Sequence, residues 1–174
     1  RDLFFKDALG ITERFDALPG NFSLRSVSPP VYDQGDEGSC TAFGCDSIVT
    51  TDQMRQNLGA FELAHNFTYY NTRVLEGTAN RDNGASCRNV LKAYSKWGFA
   101  KADTYPYNTK QVTSKPPQVA YDEGVKNIVQ PAQYARVNQN LEEIKGAISL
   151  GLPVFLGADV FRQMMSKQAQ TTGV

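Results

Sequence analysis

Apolar residues recur at helical spacing in several stretches of the chain and run consecutively in one. From Cys40 onward, Ala42, Phe43, Cys45, Ile48 and Val49 return at intervals of three or four residues. This predicts a helix to about Asn57 with Gly59 as its stop, about 27 Å long at 1.5 Å per residue. A second helix is predicted over residues 64–75. A third runs from Cys87 or Arg88 to Trp97, with Val90, Leu91, Tyr94 and Trp97 on one face and Gly98 as its cap. Near the end, Asn140 caps a short helix through Leu150, Glu143 completes a box-like pattern and Gly151 closes it. Between helices the chain is punctuated by Leu18-Pro19-Gly20, Ser28-Pro29-Pro30 and Asp82-Asn83-Gly84. Two strands are predicted: residues 125–129, and the buried run Pro153-Val154-Phe155-Leu156-Gly157-Ala158. Residues 110–117, polar and proline-containing, read as a crossing between lobes, and residues 1–17 as a short helix or packed arm.

The candidate chemistry lies just ahead of the first long helix. Gln34-Gly35-Asp36-Glu37-Gly38 carries two glycines and two acids, a composition suited to a tight loop. With Ser39 as helix cap, Cys40 stands in the first turn, where unpaired N–H groups and the helix dipole favour negative charge. Cys40 is therefore a candidate nucleophile; simple packing beneath the loop is the alternative for so commonly buried a residue type. The cysteines are Cys40, Cys45 and Cys87, which fits one free thiol beside a Cys45–Cys87 disulfide, or three reduced thiols. Their spacing matches no zinc site, and the single histidine, His65, cannot complete one, so neither metal nor cofactor is expected.

Val31-Tyr32-Asp33-Gln34-Gly35, followed by Gly38-Ser39-Cys40-Thr41-Ala42-Phe43, resembles the active-site segment of papain-like cysteine peptidases. Tyr69-Tyr70-Asn71, Arg73, Glu76-Gly77, Gly84-Ala85-Ser86, Gly98 and Tyr105-Pro106-Tyr107 follow in the order seen in bacterial and viral-type relatives of papain. The resemblance covers residues 18 to about 162. It implies an α+β, papain-like two-lobe fold. Residues 18–108 would form the helical lobe, and residues 109–174 a linker and the beginning of a β-barrel-like lobe. Residues 1–17 would be an N-terminal arm or propeptide remnant.

The resemblance also implies roles. Cys40 is the nucleophile, and the Gln34 amide joins its N–H in the oxyanion hole. Gly84 and Ala85 offer backbone hydrogen bonds to an extended peptide. Ser86, Cys87 and Gly157 map near the pocket for the second residue before the scissile bond, where Gly157 leaves room for a bulky side chain. Two departures stand out. The family disulfide would join positions 37 and 82, which hold Glu37 and Asp82, carboxylates expected to repel so that one protonates or turns to solvent. The family's catalytic histidine and asparagine are expected beyond residue 174, because His65 maps to the helical lobe away from the cleft, as a surface or boundary residue.

Composition narrows the function without changing this picture. Eighteen basic and 18 acidic residues among 174 give no bulk charge to recruit nucleic acid or an anionic membrane. No apolar run is long enough for a transmembrane helix. The expected activity is thiol hydrolysis of a peptide or protein substrate, with the rest of the same protein and a propeptide as partners. A non-catalytic peptide-binding module or processed fragment is the alternative, and acyl transfer or deamidation a weaker one. Family resemblance favours a secreted, periplasmic or lysosome-like compartment. In a eukaryotic secretory route, Asn21-Phe22-Ser23 and Asn66-Phe67-Thr68 fit glycosylation acceptors.

Overall fold

A computed structural model describes residues 4–10, 18–59, 61–128 and 134–172. Its centre is the helix beginning at Cys40. After α1 (Phe5–Leu9), α2 (Cys40–Arg55) buries Thr41, Ala42, Phe43, Cys45, Asp46, Thr50 and Thr51, on more than one side, as a helix enclosed by its neighbours must. α3 (His65–Glu76) and α4 (Cys87–Trp97) pack on it and on each other. Gly77, in the left-handed region at φ 71°, ends α3. Ser86 starts α4 by accepting the Asn89 N–H at 3.4 Å. These three helices fall where the apolar spacing predicts.

Two apolar clusters fill the space between them. One joins Cys45, Leu63, Val90, Tyr94 and Phe99; the other joins Ala64, Phe67, Ala100, Tyr105 and Ala120, with Trp97 and Tyr121 at its margin. The second cluster includes α5 (Gln118–Lys126), a helix the hydrophobic pattern does not predict. Its approach to the end of α4 is very close: a Cβ on Gly98 would stand 1.9 Å from the Gly124 carbonyl oxygen. Gly98 also has φ 65°, so neither its position nor its backbone admits a side chain.

α6 (Leu141–Ser149) begins as expected, Asn140 Oδ1 accepting the Glu143 N–H at 2.9 Å. The reciprocal half of the box is absent, since the Glu143 carboxylate turns instead to Asn138 Nδ2 at 2.8 Å. A short α7 (Lys167–Thr172) closes the described chain.

The α+β expectation needs correction. Among the described residues there is no β-strand and no barrel-like lobe, only isolated bridges from Phe4 to Arg136 and from Leu63 to Lys101. The fold is mostly helical. Residues 153–158 are irregular, with Leu156, Gly157 and Ala158 exposed. An apolar run becomes a strand only where a neighbour takes its backbone N–H and C=O groups, and no described segment does so here. Phe155 alone reaches the core, its ring 2.9 Å from where a Gly44 Cβ would stand. The other expected strand, 125–129, is the end of α5 followed by a turn, with Val129 outside the described residues. Residues 110–117 begin inside a 3₁₀ turn, Thr109–Gln111, and are fastened to α3 by Arg73, which donates to the Val112 carbonyl. Of the N-terminal arm, residues 11–17 lie outside the description.

Candidate active site

Cys40 is the first residue of α2 and is exposed to solvent. Ser39 occupies the cap position, but its side chain makes no capping bond. Its buried hydroxyl instead shares a hydrogen bond with the Tyr107 hydroxyl at 3.3 Å. Tyr107 donates in turn to the Gln34 carbonyl at 2.8 Å, so the loop is tied to the segment after Tyr105 through one phenol. The Gln34 side chain folds back within the loop, Nε2 donating to the Glu37 carbonyl at 2.7 Å.

Glu37 and Asp82 do not face each other as unshielded charges. Glu37 is buried, and its carboxylate accepts Asn66 Nδ2 at 3.0 and 3.2 Å. Asn66 Oδ1 accepts the Asn108 N–H at 2.7 Å, which carries the link to the next segment. Burial pushes the Glu37 carboxyl above its ordinary value; hydrogen bonds from Asn66 and Ser39 pull against this, and the Asp82 charge adds to it. Asp82 is exposed and accepts the Gly38 N–H and the Tyr69 hydroxyl. Each carboxylate thus has donors of its own.

On the other side of the loop, Gly84 has φ 78° and Ala85 is half-buried. Ser86 gives its N–H and its hydroxyl to Glu76, each at 2.9 Å, and Asn89 gives Nδ2 to the same oxygen at 2.9 Å. Although burial works in the opposite sense, these donors hold the Glu76 carboxyl below its ordinary value. Gly157 comes beside Cys87, a Cβ there standing 4.0 Å from the sulfur. All three cysteines are free, so the Cys45–Cys87 disulfide is not formed. Cys45 is fully buried, and burial pushes its thiol well up; burial pushes Cys87 up as well, with the nearby Cys40 sulfur adding to the effect.

His65 is not at the surface. It is 1% exposed, with Nδ1 2.6 Å from Asp46 Oδ2 and its ring stacked on Phe43 at 3.8 Å between centres. Asp46 Oδ1 accepts the Thr68 hydroxyl at 2.9 Å and the Tyr94 hydroxyl. The chain's single imidazole is thereby committed to a polar cluster joining α2, α3 and α4. Sequence reasoning missed this cluster. The available signal was Asp46, a charged residue among the apolar positions of a core helix, which requires a partner. Among the described residues no three His, Cys, Asp or Glu side chains converge as a metal site would need.

No family model matches the chain. An uncharacterized peptidase C1-like protein of Acanthamoeba polyphaga mimivirus is 32% identical over 171 residues, covering 90% of this chain and 54% of that protein. Cysteine proteinase 1 of Entamoeba histolytica is 32% identical over 127 residues, 71% of this chain and 38% of that one. Among solved structures, xylellain, a cysteine protease from Xylella fastidiosa, superposes with a TM-score of 0.75 at 26% identity, over 87% of this chain and 59% of xylellain. The chain spans about half, 54%, of the first relative's length. At the level of the family, then, this chain resembles the papain-like cysteine peptidases, with viral and bacterial relatives alike.

Proposed function

We propose that the chain is the nucleophile-bearing portion of a papain-like cysteine endopeptidase. The Cys40 sulfur attacks a peptide carbonyl, the amine leaves with a proton, and water hydrolyses the resulting thioester. Gln34 and the Cys40 N–H receive the oxyanion, the Gln34 amide exchanging the Glu37 carbonyl for substrate. Gly84 and Ala85 align an extended peptide, and Ser86, Cys87 and Gly157 border the pocket for its side chain. The general base and the residue that orients it come from sequence beyond residue 174. The observation that carries this reading is the exposed thiol at the first position of the central helix, while Cys45 is sealed and Cys87 half-buried.

Iodoacetamide should modify Cys40 at least about tenfold faster than Cys45 or Cys87, as accessibility and the helix start dictate. Equal, slow modification of the three would overturn the reading. A second reading, a peptide-binding module without turnover, is favoured by the engagement of the single imidazole with Asp46. It predicts peptide binding with no cleavage by the complete protein, whereas an endopeptidase cleaves.

A further inference from the structure

Tyr69 has no role in the chemistry above, yet its hydroxyl lies between the two loops on which that chemistry depends. Its ring is wholly buried on α3, with the Arg73 guanidinium carbon 3.9 Å from the ring centre. Arg73, also buried, donates to the Tyr69 carbonyl at 3.4 Å, the Arg81 carbonyl at 2.5 Å and the Val112 carbonyl. A ring clamped in this way presents its oxygen at one point. That oxygen donates to Asp82 Oδ1 at 2.5 Å and accepts the Gly84 N–H at 2.9 Å. Asp82 completes the link by accepting the Gly38 N–H, at 3.2 Å and 3.0 Å to its two oxygens.

The loops meet closely. A Cβ on Gly38 would stand 2.8 Å from Asp82 Oδ1 and 3.3 Å from both the Gly84 nitrogen and the Tyr69 oxygen. Burial, and then Asp82, raise the Tyr69 phenol far above its ordinary value, so it keeps its proton for Asp82. Both hydrogen-bonding capacities of the hydroxyl are filled, each by the Asp82–Gly84 turn, and Gly38 is two residues from Cys40. Because the Gly84 N–H is taken inward, a peptide lying on this edge would use the Gly84 carbonyl and the Ala85 backbone.

We propose that Tyr69 and Asp82 are positioning residues that hold the Gly84–Ala85 peptide-binding edge in register with the loop that leads into Cys40. This rests on the peptidase reading for its functional meaning, and the test separates the two. In the full chain, Tyr69→Phe removes one oxygen and keeps the ring. Modification of Cys40 by a peptidyl epoxide should then slow about tenfold, the expectation for one lost hydrogen bond. Modification by iodoacetamide, which needs no peptide edge, should be unchanged. Asp82→Asn, which retains an acceptor for the phenol, should slow the epoxide less than Asp82→Ala. An equal slowing with both reagents, or with neither, overturns the proposal, and the Asp82 pair decides it should Tyr69→Phe not fold. If Cys40 in the unaltered chain resists both reagents, it is the peptidase reading that fails. The latch is then judged by amide exchange: the Gly84 N–H exchanges about tenfold faster in Tyr69→Phe if it holds, and at an unchanged rate if it does not.

Discussion

Glu37 lies buried one residue before Gly38, its carboxylate held by Asn66 and its protonation favoured by burial. Between the ordinary carboxyl value of 4.5 and the raised native one, the folded protein binds more protons than the unfolded chain. Its contribution to stability is therefore complete below 4.5 and lost as pH rises through the native value. Glu37→Gln keeps an acceptor and removes the charge, so its stability relative to the unaltered chain should grow as pH rises through that window. Urea unfolding at a series of pH values checks this, and a parallel pair of profiles would refute it. Glu76, held below its ordinary value, acts with the opposite sign. Asn66 also shows what a sequence motif leaves out: it fits a glycosylation acceptor, but its amide is buried against Glu37. The place of Cys40 at a helix start was legible because loop and helix start are neighbours in sequence. The Asp46–His65–Tyr94 cluster was not, because its members come from three helices and only packing brings them together.

Helices with local signals were read to within a few residues. Gly77, Ser86, Gly98 and Asn140 mark their ends by backbone freedom or capping oxygens, both properties of single positions. α5 was missed because its buried face is little more than Ala120 and Gly124, too sparse to show a period. The run at 153–158 was read as a strand because consecutive apolar residues signal burial without naming a pairing partner. At the junction of α4 and α5, Gly98→Ala would combine a disfavoured positive φ with a Cβ 1.9 Å from a carbonyl oxygen. With φ 65° and ψ −147° this residue sits in a region essentially confined to glycine, and the backbone effect alone is about 1–3 kcal/mol. A loss of at least about 2 kcal/mol in denaturant unfolding is expected, with Gly77→Ala, which meets nothing nearby, losing less.

Among the described residues, burial concentrates in α2, α3 and α4. Beyond Phe155 the chain turns outward, with Leu156, Val160, Phe161, Met164 and Met165 exposed. Limited proteolysis by chymotrypsin should cut between Leu156 and Met165 before any site within those three helices, as mass spectrometry of the first fragments would show. First cleavage inside α2 or α3 would contradict the picture. The three thiols bear on handling as well as architecture. A sulfur nucleophile serves only while unoxidised, and a domain fastened by cystine is exposed to the same reductants that keep such a nucleophile fresh. Here the fastening between the loops is a carboxylate, a phenol and backbone amides, and every cysteine is free. Dithiothreitol at any useful concentration can protect Cys40 without loosening the helices around it.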